Sequence, residues 1–205
     1  MRKCVFAIVF LIQAFAFSQE EVQKDKIDFG IRFGLSISDL VTETNVIQPR
    51  ASIHTGFHVL YKVDSSWSIQ KELLYLRKGQ SARSNDLISN SRLENKTKLD
   101  YIELPILAKY RLIEGLHVEL GPYFSTLISA EQENLRFDNV ITNNVKNEIN
   151  TFDTGFAVGA GYTTPWNFIM GLRYTRGFIN AVNNKNSSFE EGYNTQLQLY
   201  VGYLF

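Results

Sequence analysis

The side chains with chemistry to offer in this chain are charged, and they stand on the polar side of alternating stretches. Arg32, Glu72, Glu103, Lys109, Arg111, Glu119 and Arg173 all belong to one such face, the interior of the fold argued below. An isolated buried charge is costly and a partnered one much less so, so opposite charges on one enclosed face are expected to interlock. Three histidines, His54, His58 and His117, raise the question of metal binding. His54 and His58 share a strand face but lie about 13 Å apart along it. One ion cannot bridge them unless His117 or Glu119 joins from a distant strand, so no metal and no cofactor are expected. No His-Glu-x-x-His, nucleotide loop or nucleophile elbow is present. His54 with Ser52 and Asp39 is the one set resembling a rim-located hydrolase site; its spacing imposes no geometry, and no enzymatic activity is expected.

The positioning elements are strands. Residues 193–205 alternate, with Thr195, Leu197, Leu199, Val201, Tyr203 and Phe205 on one face and Asn194, Gln196, Gln198, Tyr200, Gly202 and Leu204 on the other. A final strand with an apolar face and an open edge needs a partner. The first alternating stretch supplies it: Ile27, Phe29, Ile31, Phe33, Leu35 and Ile37 oppose Asp28, Gly30, Arg32, Gly34, Ser36 and Ser38. Eight strands follow from this pattern, at 27–38, 53–62, 67–78, 99–112, 116–128, 152–162, 166–178 and 193–205. Connections after the second, fourth and sixth are short. Those at 39–52, 79–98, 129–151 and 179–192 are long and polar. An even strand count with short turns at one end and long loops at the other predicts an all-β, eight-stranded antiparallel up-and-down transmembrane barrel, with periplasmic turns and extracellular loops.

The two faces decide which side meets lipid. Glycines accompany the charged residues, as suits the inside of a narrow tube, while the opposite face is bulky and nearly uncharged. A soluble lipocalin-like barrel would have the reverse polarity. Tyr61, Trp67, Tyr110, Tyr162, Trp166, Tyr203 and Phe205, with Phe29, fall outward near the short-turn end, where an aromatic girdle belongs. Tyr75, Phe124, Tyr174 and Phe178 fall nearer the other end. Lys71 is the exception on the lipid face, and either snorkelling or a bulge would accommodate it. Arg77 and Arg176 are placed near the outer rim, within reach of lipid phosphates. Pro105 cannot donate to a ladder and predicts a bulge or kink.

Residues 1–18 read as a cleaved secretory signal: Arg2 and Lys3, an apolar run from Cys4 to Phe17 broken only by Gln13, then small residues before Gln19. Cleavage removes the one cysteine, so no disulfide is expected. Residues 19–26 form a short periplasmic leader and 27–205 the barrel. The 21 basic and 21 acidic residues balance, which gives no electrostatic case for nucleic acid. No segment of the mature chain reaches the ~20 apolar residues of a membrane helix.

Several segments resemble the PorT-like outer-membrane β-barrel family. They are Glu72-Leu73-Leu74-Tyr75 with Lys78-Gly79, Leu99 to Pro105 with Lys109-Tyr110, Gly121-Pro122-Tyr123, and Phe152 to Gly155 with Gly159 to Tyr162. The resemblance implies an eight-stranded barrel in an outer membrane, with a link to secretion through one family member. The C-terminal Gln198, Tyr203 and Phe205 resemble the signal read by the barrel-assembly machinery, although Tyr200 occupies the usual glycine position. The expected partners are therefore outer-membrane lipid, the assembly machinery during biogenesis, and a protein partner at the extracellular loops 79–98 and 129–151. The expected role is that of a monomeric structural or accessory barrel with a plugged lumen, the alternative being a narrow channel for ions or small solutes.

Overall fold

The computed structural model describes residues 26–41, 48–86, 91–136, 139–182 and 192–205. The expected signal, residues 1–18, and all of the expected leader except Lys26 lie outside the described residues. The strands are β1 (Ile27–Val41), β2 (Gln48–Lys62), β3 (Trp67–Asp86), β4 (Ser91–Arg111), β5 (Leu116–Arg136), β6 (Asn139–Asn144), β7 (Phe152–Thr163), β8 (Phe168–Asn180) and β9 (Tyr193–Leu204), with a 3-10 turn at Lys146–Glu148. Eight of them close an antiparallel barrel. β1 pairs with β9 from Gly30↔Leu204 to Val41↔Tyr193, and β4 pairs with β5. β6 is a short return strand laid along the outer half of β5, from Glu131↔Asn144 to Arg136↔Asn139.

Alternation carries through to the two surfaces. Phe29, Leu35, Phe57, Leu73, Leu120, Leu172 and Leu199 are exposed, while Arg32, Glu72, Glu103, Glu119 and Arg173 are buried. A barrel that exposes its aliphatic side and encloses its charges is built for an apolar surround. The inward glycines have a specific task. His58 lies over Gly30, His54 over Gly34, His117 over Gly161 and the Tyr200 ring over Gly171, each placed where a Cβ would come within 2.7 Å of the ring. These are cross-strand partners in register, so each glycine makes room for a ring from its neighbour.

One sequence expectation is corrected, and two lose their bulge alternative. Segments 79–98 and 129–151 are largely strand instead of loop: β3 and β4 stay paired from Gly79↔Lys98 to Asp86↔Ser91, and β5 continues to Arg136. Beyond the apolar band both faces are polar, so the hydrophobic period vanishes while the backbone ladder continues. Pro105 causes no register shift. It is buried and faces Tyr123, and the shift on β4–β5 falls between Asp100 and Tyr101. Lys71 has no bulge to hide in, because β3 holds one register against β4 from Lys71↔Ile106 to Leu74↔Glu103; its side chain is exposed on the aliphatic face.

Candidate functional site

The lumen is filled by two ionic groups and an apolar plug. The central group joins β1, β3, β5 and β8. Arg173 donates through Nη1 and Nη2 to Glu72 Oε2 and Oε1 at 2.6 and 2.8 Å, and through Nε to Glu119 Oε1 at 2.6 Å. Arg32 donates through Nη1 to Glu72 Oε2 at 2.8 Å and through Nη2 to Gln198 Oε1 at 3.1 Å. Its Nη2 also lies 3.3 Å from His54 Nε2. A guanidinium can only donate, so that nitrogen accepts. The Arg32 guanidinium stacks 3.8 Å from the centroid of the Tyr200 ring, with Arg173 at 5.4 Å. Lys109 donates to Gln70 at 2.9 Å and stands 3.9 Å from Glu119; Gln70 in turn donates to Glu72. All four charged side chains of the Arg32–Glu72–Arg173–Glu119 chain are at most 1 % exposed, and each carboxylate takes at least one direct charge-assisted bond.

The second group centres on Lys78, whose Nζ lies 3.0 Å from Glu103 Oε2 and 3.2 Å from Asp153 Oδ2. Tyr123 and Asn194 also donate to Asp153, at 3.2 and 3.0 Å. Around it sits an apolar cluster that includes Leu74, Leu76, Leu99, Leu127, Val145 and Ile149. Val145 and Ile149 come from the segment between β6 and β7, which folds back over the lumen. Asn150 fixes that segment: its backbone N–H donates to Ala181 at 2.8 Å and its side-chain amide to the Asn180 carbonyl at 2.7 Å. Val145 and Ile149 therefore face inward from a stretch expected to be a free exterior loop.

Six of the seven charged residues singled out from sequence lie buried inside the barrel. Arg111 is the correction. It is exposed at the end of β4, where the lumen opens to the short turns, and it stands outside the network. Lys78 and Asp153 are the partners that sequence reasoning missed. Both share the polar parity of their strands, which was the available signal. His54 sits in the lumen and is fully buried, remote from any rim surface. Among the described residues no cluster of metal-ligating side chains is present.

At the short-turn end the lumen widens into a cavity of ≈ 550 Å³, lined by Lys62, Lys109, Arg111 and His117 among others. Around its rim Trp67 packs on Tyr110 at 4.9 Å, Phe168 on Tyr203 at 5.2 Å, and Tyr203 on Phe205 at 5.5 Å. Tyr61, Tyr162 and Trp166 are exposed at the same level. Of the C-terminal trio, Tyr203 and Phe205 point outward, whereas Gln198 is buried in the lumen beside Arg32. Arg77, placed near the outer rim within reach of lipid phosphates, holds Asp100 through two bonds at 2.6 and 3.2 Å. In the short turn between β2 and β3, the backbone N–H groups of Ser66 and Trp67 donate to Asp64 Oδ1 at 2.7 and 2.8 Å and hold its carboxyl below the usual aspartate range.

These features define an eight-stranded transmembrane barrel with a closed interior. Residues 17–183 match the family model described as outer membrane protein beta-barrel domain, and the chain belongs to that family. Its fold is similar to that of Neisserial surface protein A (NspA), at 12% sequence identity and a TM-score of 0.56, over 86% of this chain and 97% of that one. It is also similar to Ail, the attachment invasion locus protein of Yersinia pestis, at 12% identity and a TM-score of 0.50, over 88% of this chain and 99% of that one. Among curated proteins none matches the sequence. As an outer-membrane barrel the chain sits in a lipid bilayer, with its aliphatic exterior against the acyl chains.

Proposed function

We propose that this barrel is a non-enzymatic, non-conducting structural or accessory element of the outer membrane. Its exposed loops and rims contact a partner in a secretion or assembly complex, in the manner implied by the PorT-like resemblance. The observation that carries the reading is the Arg32–Glu72–Arg173–Glu119 chain, which ties strands from opposite sides of the lumen together, backed by the apolar plug above it. Ions would have to break buried charge pairs and then cross an aliphatic constriction. In this reading residues 1–18 are removed on export, residues 19–26 remain in the periplasm, and Gln198, Tyr203 and Phe205 serve barrel assembly. The aromatic rim at the short turns anchors the periplasmic interface.

The second reading is a narrow channel, favoured by the cavity at the short-turn end. Planar-bilayer recording of the purified barrel separates the two. The plugged reading expects no steady openings. Openings whose conductance changes in Arg32→Ala or Glu103→Ala would replace it with the channel.

A further inference from the structure

The lipid-facing wall is not uniform. On the side built by β8, β9, β1, β2 and β3 it carries a groove of ≈ 680 Å³ with an almost wholly apolar lining. Two cross-strand tiers form its walls. Phe168, Tyr203, Ile31, Phe57 and Leu73 stand side by side, in register across those five strands. Two residues further from the short turns, Val201, Phe33, Thr55, Tyr75 and Ile102 make the second tier, from β9 to β4. The floor between them is the backbone of Gly202, Arg32 and Gly56, a row of inward parity. Between the Phe33 and Tyr75 rings the second tier drops to Thr55, which pairs with both and opens a notch.

The size and course of the groove select its occupant. Four strand spacings of ~4.8 Å make it about 19 Å long. Running across strands tilted ~40°, it climbs about 12 Å through the membrane, against a depth of about 15 Å for one leaflet of the hydrocarbon core. It starts at the aromatic rim, where Phe168 opens β8 and packs on Tyr203, and rises to Leu73, well inside β3. The tiers stand about 7 Å apart, two residues along a strand, whereas a helix with its side chains is about 10–12 Å across. A bare polymethylene chain fits that width and a helix does not. Nor are polar contacts on offer along the track: Thr55 Oγ1 donates to the Arg32 carbonyl at 3.1 Å, and the Tyr75 hydroxyl accepts from Arg77 at 3.3 Å.

We propose that this groove is a binding site for one acyl chain of a phospholipid in the leaflet at the short-turn side. The headgroup stays at the aromatic rim, and the tail lies along the Gly202–Arg32–Gly56 floor toward the bilayer midplane, with its contact to the barrel closest at Thr55. The rest of the aliphatic exterior meets exchanging lipid; this strip holds one chain in place.

The test uses the full barrel in a maltoside detergent, with lipid retention read by native mass spectrometry. Added dipalmitoyl phosphatidylethanolamine is expected to remain as one lipid per barrel. Thr55→Trp fills the notch with a ring and should weaken retention about tenfold or more. Leu120→Trp, at an exposed site on β5 across the barrel, should leave it unchanged. Didecanoyl phosphatidylethanolamine, too short for the track, should bind about tenfold more weakly, and dipalmitoyl phosphatidylglycerol within about threefold. A photoreactive diazirine on the palmitoyl chain should label Phe33, Phe57 and Leu73 ahead of Leu120 and Leu172. That mapping, done on the unsubstituted barrel, decides the matter if Thr55→Trp does not refold. Equal loss in the two tryptophan variants, equal affinity for the short-chain lipid, or labels spread evenly round the wall would overturn the site. A dimer that Thr55→Trp dissolves would assign the groove to a second copy of the chain and overturn the lipid as its occupant.

Discussion

The two halves of the lumen solve the same packing problem with different materials. The half toward the short turns is ionic: two arginines, two glutamates and a lysine are linked across the bore, opening into a wide polar mouth. The half toward the long connections is mainly apolar, with leucines from β3, β4 and β5 closed over by Val145 and Ile149, and one lysine-centred group set among them. The outer surface does not show this division, since aliphatic residues cover it along both halves. A narrow barrel needs its interior filled, and either charge pairs or methyl groups can do it. They differ in how they fail. Loss of one partner in the ionic half strands a buried charge, whereas loss of a methyl group in the apolar half leaves a void that neighbours partly close.

That contrast is open to direct challenge. The largest effect is expected for Glu72→Leu, which removes the carboxylate that both Arg32 and Arg173 hold. Breaking a buried pair by deleting one partner costs about 3–5 kcal/mol, and here two cations lose it at once. Urea unfolding in lipid vesicles, followed by tryptophan emission, should show a loss of that size. A loss below about 1 kcal/mol would mean that water enters the ionic half freely, and the distinction between the halves would disappear. Next comes Ile149→Ala in the plug, with an expected loss of about 2–4 kcal/mol. The fold should survive it, because only the cap segment carries Ile149. If Ile149→Ala is silent while Glu72→Leu is severe, the apolar half is decoration over an ionic core.

A smaller effect, of opposite sign, is expected on the outer wall. Lys71 stands exposed between Ile69 and Leu73 on the face that meets lipid, in regular register with Val59 and Ile106. A lysine costs about 2–4 kcal/mol at the bilayer midplane and about 0–1 near an interface. Lys71→Leu should therefore stabilise the barrel, and the size of the gain measures how far the ammonium snorkels toward the short-turn side, where Trp67 marks the aromatic rim on the same strand. A destabilised Lys71→Leu variant would point to an ionic role for this residue instead.

What the sequence could show follows from the period of a strand. Alternation assigns each residue to a face, so the inward set containing Arg32, Glu72, Glu119 and Arg173 was legible. It does not say what lies across the bore. The Arg173–Glu72 contact joins residues 101 apart, and only the stagger of the closed barrel brings them together. For the same reason Lys78 and Asp153 went unpaired in the sequence reading, although both carry inward parity. The plug was illegible for a different reason. Leu74, Leu76 and Leu99 are apolar residues on the polar face, which weakens the alternation instead of marking it. Val145 and Ile149 belong to a stretch rich in asparagine and glutamate that reads as loop. Arg111 marks the limit of the parity argument: its face is inward, but the lumen has opened by that level.

The smallest expected effect lies outside the membrane, in the turn that begins β3. Asp64 accepts from the backbone N–H groups of Ser66 and Trp67, which favours its charged form and lowers its titration in the folded state. A depressed folded value means that the contribution is complete above the unfolded aspartate value of about 3.9 and is lost as the pH falls through the lower folded value. Asp64→Asn keeps an acceptor oxygen but removes the charge, so it should flatten stability against pH in that acidic window while changing it little at neutral pH. Carbon-13 NMR titration of the Asp64 carboxyl checks the direction. A folded value at or above the unfolded one would remove Asp64 as a charged stabiliser of the turn, leaving the entry to β3 to the Trp67–Tyr110 contact and to the ladder itself.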